Sequence, residues 1–156
     1  MSDSPPEPYD QFTAIILQIF RANGQMLSWG DRFAAPFNLT SARWQMLGAL
    51  AGAPRALSAP QLAVTMGVTR QGAQKQLDLL LHEEMVEKLA NPYHKRSPIY
   101  RLSAAGKVLY QRIEQEWNQH ASQMRQTFSA EELTTALHVL NRIRELHLLP
   151  EERDAP

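Results

Sequence analysis

The strongest constraint on the fold of this chain is a set of capping residues that places two helices on either side of a very short turn. Ser58 and Gln61 have the spacing of a capping box, in which each side chain bonds the backbone N–H group of the other residue. Gly67 suits the left-handed backbone that ends a helix, and Thr69 is a favoured cap for the next one. The sequence therefore predicts a short third helix that ends before Gly67 and a fourth helix over residues 69–85.

Apolar side chains that recur three and four residues apart predict further amphipathic helices on both sides of this pair. These helices lie at about residues 9–32, 40–52, 103–128 and 130–146. Two short apolar segments flank a polar loop that contains proline, which predicts a β-hairpin with strands at residues 86–89 and 99–102. A short helix, a tight turn, a second helix and a basic hairpin form a winged helix-turn-helix. The predicted fold class is therefore mainly α with a small β-hairpin wing.

The neutral total charge of the chain conceals two segments of opposite sign. Sixteen Lys and Arg residues balance sixteen Asp and Glu residues over the whole sequence. Residues 40–103 hold eight of the basic residues and four of the acidic ones, a net charge of +4, which leaves −4 for the remainder. The basic side chains of this segment fall on the outward face of the fourth helix and on the hairpin tip, where contacts with DNA phosphates and grooves require them.

The residue types that most enzymes and metal sites require are missing or isolated. The absence of cysteine excludes disulfides, thiolate zinc sites and cysteine nucleophiles. The sequence contains no Gly-rich phosphate loop, nucleophile elbow or His-Glu-x-x-His motif. Glu116 and His120 stand four residues apart on a predicted helix, but no third metal ligand is indicated, so a surface ion pair is the favoured interpretation. We therefore expect neither an enzyme nor a bound cofactor or metal.

The sequence offers no segment for a membrane. Its longest uncharged run, residues 56–69, is well short of the roughly 20 apolar residues that a spanning helix needs. The first residues lack the basic region and apolar run of a secretory signal. These features predict a cytoplasmic protein with a disordered leader at residues 1–8 and a loose charged tail at residues 150–156.

Short motifs along the middle of the chain resemble those of the MarR family of bacterial transcription regulators. The family pattern has a Leu-Thr opening, a Leu-Ala pair, a Gly-Val-Ser/Thr turn, a charged wing and a Leu-Thr/Ser-x-x-Gly exit. The corresponding residues here are Leu39-Thr40, Leu62-Ala63, Gly67-Val68-Thr69, the wing residues 91–96 and Leu102-Ser103-Ala104-Ala105-Gly106. The similarity covers about residues 39–106, and the flanking helices agree with the family in order and length.

This resemblance implies a domain organisation in which the flanking helices build a dimer. Residues 9–38 would form an N-terminal dimerisation helix and loop, residues 39–103 the winged helix-turn-helix DNA-binding region, and residues 104–149 the C-terminal dimerisation helices. The expected function is that of a sequence-specific transcription regulator, a repressor, that binds a pseudo-palindromic operator on double-stranded DNA as a homodimer. Half-site centres would lie about 10 base pairs apart, one turn of the duplex.

The DNA-contacting residues are expected on the two basic elements. Arg and Lys can donate paired hydrogen bonds to guanine, Gln can pair with adenine, and a helix N-terminus can bind a phosphate. The candidates on the fourth helix are Thr69, Arg70, Gln71, Gln74 and Lys75. On the wing, Lys95 and Arg96 are expected to contact the DNA backbone, with His94 beside them.

Two wing residues depart from the family pattern. His94 stands where the family often has Asp, so the Asp–Arg pair that commonly stiffens the wing cannot form in its usual way. The wing is therefore expected to be looser or sensitive to pH. Pro98 is expected on the returning strand, where it would remove one donor from the ladder.

The regulation of DNA binding stays open at this point. Members of the family commonly release DNA when a small aromatic or phenolic effector wedges between the dimer helices and the DNA-binding lobes. Met26, Trp29 and Trp44 are candidates for lining such a pocket, although their helical spacing favours ordinary core side chains. Without an effector the chain would be a constitutive DNA-binding protein. A further alternative is a winged helix used for contacts with other proteins, which salt-dependent DNA binding would distinguish.

Overall fold

A computed structural model describes residues 9–148 of the chain. The leader predicted at residues 1–8 and the tail predicted at residues 150–156 lie outside the described residues. In chain order the elements are α1 (Gln11–Ala34), a 3-10 turn (Ala35–Phe37), α2 (Ser41–Gly52), β1 (Leu57–Ser58), α3 (Ala59–Met66), α4 (Arg70–His82), β2 (Val86–Leu89), β3 (Ile99–Leu102), α5 (Ala104–Arg125) and α6 (Ala130–Leu146). The described residues divide into two compact units, one that ends at Ala42 and one that begins at Arg43. The predominance of helix and the small antiparallel sheet confirm the predicted fold class.

The first unit consists mainly of the long helix α1. The Asp10 carboxylate caps its start, because it accepts hydrogen bonds from the backbone N–H groups of Phe12 at 2.9 Å and Thr13 at 3.1 Å. The helix runs two residues past its predicted end, since Pro36 fits the first turn of the following 3-10 turn, where its missing N–H group is not needed. Asn38 then adopts the left-handed conformation with φ 56°, which asparagine tolerates better than most residues.

A close contact inside the first unit joins the end of α1 to the start of α2. A Cβ atom on Gly30 would lie only 2.6 Å from the Oγ atom of Ser41, so only glycine fits this position without movement of the serine. The backbone N–H group of Ser41 also donates to the Asp31 carboxylate at 2.8 Å. These contacts hold Ser41 against the last turns of α1.

The capping residues of the helix-turn-helix act as the sequence predicts. The N–H group of Ser58 donates to Gln61 Oε1 at 2.9 Å, and the N–H group of Gln61 donates to Ser58 Oγ at 3.4 Å, which completes the capping box of α3. Gly67 ends α3 with φ 65°. Thr69 caps α4, and its Oγ1 atom accepts a hydrogen bond from the N–H group of Gly72 at 3.0 Å. The two helices therefore meet across the predicted short turn.

Helix α4 ends three residues earlier than predicted, at His82 rather than Met85. Glu84 adopts a left-handed backbone with φ 58°, and the N–H group of Met85 turns back to the carbonyl of Leu80 at 2.9 Å. The prediction was wrong here because the apolar Met85 continues the helical spacing while belonging to the turn that leads into β2.

The wing is part of a three-stranded antiparallel sheet with the order β1-β3-β2. The hairpin pairs Val86 with Leu102 and Leu89 with Ile99, which confirms both predicted strands. Strand β1 was not predicted, since two residues are too short to show a strand pattern. The expectation that Pro98 lies on the returning strand was wrong: β3 begins one residue later, so the proline removes no donor from this central strand.

The core of the second unit lies between the helices and the sheet. Its largest fully buried side chains are Met46, Leu47, Leu62, Leu77, Leu80, Tyr100 and Ile113. The start of α5 crosses the entry to β2 so closely that a Cβ atom on Gly106 would lie 1.9 Å from the carbonyl oxygen of Met85. Ser103 adds hydrogen bonds from its N–H group to the Met85 carbonyl at 3.1 Å and from its Oγ atom to the Glu84 carbonyl at 2.7 Å. Glycine at 106 therefore lets α5 support the base of the wing.

Candidate nucleic-acid interface

The N-terminal end of α4 presents a polar, exposed surface. Ala73, Leu77 and Leu80 are buried on the opposite face of the helix. Because an α-helix repeats every 3.6 residues, the exposed positions follow as Arg70, Gln71 and Lys75. Thr69, the exposed cap, occupies one N–H group of the first turn and leaves others directed outward. The structure thus brings together four of the five residues that the sequence predicts for DNA contact on this helix.

Gln74, the fifth predicted residue, is only partly exposed and is held inside the unit. Its Nε2 atom donates to the Asp78 carboxylate at 2.8 Å and to the Tyr100 hydroxyl at 3.2 Å. Tyr100 lies on the central strand β3 and is only 1% exposed, so its hydroxyl depends on partners inside the protein. Both hydrogens of the Gln74 amide are therefore engaged, and the paired recognition of adenine, which needs one of them, is not available in this conformation.

The wing loop, residues 90–98, is closed by the side chain of Asn91. Its Nδ2 group donates to the Ser97 carbonyl at 2.9 Å, and its Oδ1 atom accepts the N–H group of Tyr93 at 3.0 Å. The N–H group of Ser97 donates to the His94 carbonyl at 3.1 Å. Sequence reasoning missed this role of Asn91, although an Asn-Pro step is a recognised turn signal. The loop is therefore fastened without the Asp–Arg pair typical of the family.

The basic side chains of α4 and of the wing loop, residues 90–98, are distinct from those used in ion pairs. Arg43 pairs with Glu83, and Arg101 pairs with Glu87 at 2.7 Å across the two hairpin strands. Within residues 9–148, no ion pair involves the exposed cations Arg70, Lys75, Lys95 and Arg96. These four side chains are therefore available for contact with a polyanion. His94 is exposed beside the last two.

The three effector-pocket candidates have different surroundings in the two units. In α1, Trp29 stacks on Phe33 with ring centroids 4.9 Å apart, and Met26 is 53% exposed. In the second unit, Trp44 makes an edge contact with Trp117 of α5 at 5.6 Å. Each tryptophan thus has an aromatic neighbour within its own unit, which is the packing that the core interpretation expects.

The part of the chain described here contains neither a membrane helix nor a cluster of metal ligands. No helix within residues 9–148 is long and apolar enough to cross a bilayer. The same residues include no group of three His, Asp or Glu side chains that could hold a metal ion. His120, considered above as one of a metal-binding pair, lies 5.9 Å from the ring of Trp117.

Comparison with known sequences connects this geometry to one family. A sequence model of the MarR family matches residues 37–97, which span the helix-turn-helix and most of the wing. The chain is 35% identical over 104 residues to uncharacterized proteins of Mycobacterium tuberculosis and Mycobacterium bovis, which covers 67% of this chain and 71% of each relative.

Comparison with solved structures agrees in fold. A mutant MarR from E. coli complexed with operator DNA has a TM-score of 0.71 at 23% identity, covering 86% of this chain and 99% of that one. CouR from Rhodococcus jostii RHA1 bound to p-coumaroyl-CoA has a TM-score of 0.74 at 15% identity, covering 86% and 94%. A MarR/EmrR family regulator from Acinetobacter sp. ADP1 has a TM-score of 0.77 at 15% identity, covering 88% and 96%. This chain belongs to the MarR family of DNA-binding winged helix-turn-helix transcription regulators, which are not enzymes.

Proposed function

We propose that this chain acts in the cytoplasm as a homodimeric repressor that places one α4 helix in each of two successive major grooves of an operator. The single observation that carries the proposal is the hydrogen bond between Gln74 and Tyr100, which ties α4 to the central strand of the wing. This bond supports our inference that the exposed cations of α4 and of the wing loop meet a duplex together.

The residues of this surface divide into base-reading and backbone-contacting groups. Arg70 and Lys75 can donate to guanine, and Gln71 can pair with adenine, because all three are exposed at the end of α4. The first turn beyond Thr69 supplies N–H donors to a phosphate. Lys95 and Arg96, with His94 beside them, contact the sugar-phosphate backbone next to the groove.

Uncovered apolar side chains on α6 and on α1 support the homodimer. No residue of α6 is buried, and Leu133, Leu137 and Leu140 are exposed at the spacing of one helix face. On α1, Phe12 and Phe20 are 50% and 70% exposed. Helices gain most of their stability by packing an apolar face, so a second copy of this chain is the proposed cover. For such a twofold pair we propose half-site centres about 10 base pairs apart, one turn of the duplex.

The experiment that tests DNA recognition has two steps. Genomic fragments retained by the purified protein are sequenced, and the enriched site is then titrated against bulk competitor DNA at several salt concentrations. We expect a site with twofold symmetry and an affinity that falls linearly with salt on logarithmic axes. Binding to a protein partner with no salt-dependent binding to any duplex would favour the alternative of a winged helix for protein contacts.

Control by a small aromatic ligand is a second part of the proposal. One structural relative is bound to p-coumaroyl-CoA, which carries a phenolic ring, and Met26, Trp29 and Trp44 are the proposed contacts here. An effector acts only through unequal affinity for the DNA-bound and free states. Titration with a panel of aromatic acids should raise the unfolding temperature and release DNA. A broad panel without either effect would favour a constitutive DNA-binding protein.

A further inference from the structure

The wing carries one large aromatic side chain to which the assignments above give no role. Tyr93 lies in the loop between β2 and β3 and is 92% exposed, more than any other exposed large apolar side chain in the described part of the chain. The ring thus makes little contact with the protein, and covering it in a complex would gain affinity.

The backbone beneath Tyr93 is held in place. Its N–H group donates to Asn91 Oδ1 at 3.0 Å, and Asn91 in turn closes the loop through the Ser97 carbonyl at 2.9 Å. Tyrosine has only two side-chain torsions, so a ring on a fastened loop loses little conformational entropy when it is covered. The ring is therefore presented ready for contact.

The charges around Tyr93 indicate which partner covers it. Lys95 and Arg96 follow within three residues, both exposed, and residues 90–98 include no Asp or Glu. A cationic loop of this kind is attracted to the phosphates of a duplex. Phosphates line both edges of the minor groove, and inserted apolar side chains are a common means of contact there.

We propose that Tyr93 is a DNA-contacting residue whose ring lies against the sugars and base edges of the minor groove while Lys95 and Arg96 hold the flanking phosphates. The proposal rests on the DNA binding proposed above and adds a contact of a different physical kind. Because the tyrosine carries no charge, its contact adds affinity without releasing counterions.

Salt dependence separates this contact from the ionic ones. Full-length wild type, Tyr93→Ala, Tyr93→Phe and the double variant Lys95→Ala, Arg96→Ala are titrated against a labelled mixed-sequence duplex at several salt concentrations. Tyr93→Ala should weaken binding about fivefold with an unchanged salt slope, and Tyr93→Phe should keep most of the affinity. The double variant should reduce the slope by about 1.8. Equal unfolding temperatures of wild type and Tyr93→Ala confirm that the exposed substitution leaves the fold intact.

A second experiment tests whether the Tyr93 ring lies in the minor groove. A polyamide that occupies the minor groove should weaken wild type toward the affinity of Tyr93→Ala and should affect that variant less. Equal weakening of both proteins would overturn the minor-groove placement. Unchanged affinity of Tyr93→Ala, or a reduced slope that shows the ring acting only through its cationic neighbours, would overturn the contact itself. If wild type shows no salt-dependent binding to the duplex, the proposed DNA binding itself is wrong. If wild type and Tyr93→Ala bind the duplex equally well, only the proposed contact of Tyr93 is wrong.

Discussion

The amide of Gln74 in α4 donates a hydrogen bond at 3.2 Å to the hydroxyl of Tyr100, a residue of the central strand of the wing that is 1% exposed. The bond joins two residues that are 26 positions apart in the sequence. It has two consequences for a DNA-binding surface. It provides a partner for a buried hydroxyl, and it links the orientation of α4 to that of the wing.

Removal of this hydrogen bond is expected to destabilise the fold in a recognisable pattern. Gln74→Leu leaves the Tyr100 hydroxyl without its partner and should lower the free energy of unfolding by about 1 to 3 kcal/mol. Adding Tyr100→Phe to that variant removes the orphaned hydroxyl, so the double variant should lose less than the sum of the two single losses. Denaturant unfolding of the four proteins measures the cycle. Strictly additive losses would show that the two side chains are not coupled.

The two wing cations should affect DNA binding through charge alone. Changing Lys95 and Arg96 to Ala should weaken binding similarly on all sequences, since these residues are assigned to the backbone. The matched control changes Arg21 and Arg125, two exposed arginines outside α4 and the wing, to Ala, which removes the same charge. Fluorescence anisotropy over a salt series compares the two. Equal salt slopes for the two double variants would contradict the assignment of the wing.

Glycine at position 106 is predicted to be essential for packing rather than for backbone freedom. Gly106→Ala would place Cβ 1.9 Å from the Met85 carbonyl oxygen, a backbone atom that cannot move aside alone. We expect a loss of about 2 to 4 kcal/mol in the free energy of unfolding. Gly24→Ala is the control, because a Cβ atom there meets nothing within 4 Å and alanine favours the helix by about 1 kcal/mol. Equal changes in the free energy of unfolding for Gly106→Ala and Gly24→Ala, measured by denaturant unfolding, would contradict this prediction.

The capping carboxylate of α6 should make part of the stability depend on pH. The N–H group of Ser129 donates to Glu132 at 2.7 Å and lowers the pKa of that carboxyl below its usual value. The folded state therefore favours the ionised form of Glu132. The stabilisation that this carboxylate gives the fold is complete above the ordinary glutamate pKa, and it is lost as the pH falls through the lowered pKa of the folded state. Glu132→Gln keeps an acceptor without titrating. The unfolding temperature of wild type should exceed that of Glu132→Gln at neutral pH, and the difference should shrink on acidification; a difference independent of pH would argue against the role of the charge.

The exposed leucines of α6 should control the oligomeric state. Leu137 is 63% exposed, and Leu137→Glu would place a charge in the proposed interface between two copies. The control is His138→Glu, which adds the same carboxylate at an exposed position next to Leu137 but away from the face formed by the exposed leucines. Sedimentation equilibrium should find wild type and the control dimeric and Leu137→Glu dissociated. Dimers of equal stability in all three would remove α6 from the interface.

Local signals explain why much of the fold is predictable from the sequence. The ends of α3 and the start of α4 depend on Ser58, Gly67 and Thr69, whose partners lie within a few residues. The hairpin strands likewise carry their own apolar pattern, and the exposed face of α4 follows from helical periodicity.

The parts that the sequence did not predict depend on contacts between distant residues. Strand β1 exists because Leu57 pairs with Tyr100, and the amide of Gln74 is hydrogen-bonded to the hydroxyl of the same tyrosine. No spacing rule within one helix reveals that a polar side chain has a partner on a strand. Asn91 is the exception, since its Asn-Pro step carried a turn signal that sequence reasoning could have used.

Footprinting on the site enriched from genomic fragments, with the stoichiometry measured by sedimentation, tests whether a homodimer places one α4 helix in each of two successive major grooves. We expect two chains per duplex and protection in two successive major grooves about one helical turn apart, with flanking protection from the wings. A complex with a single chain, or protection confined to one groove, would contradict it.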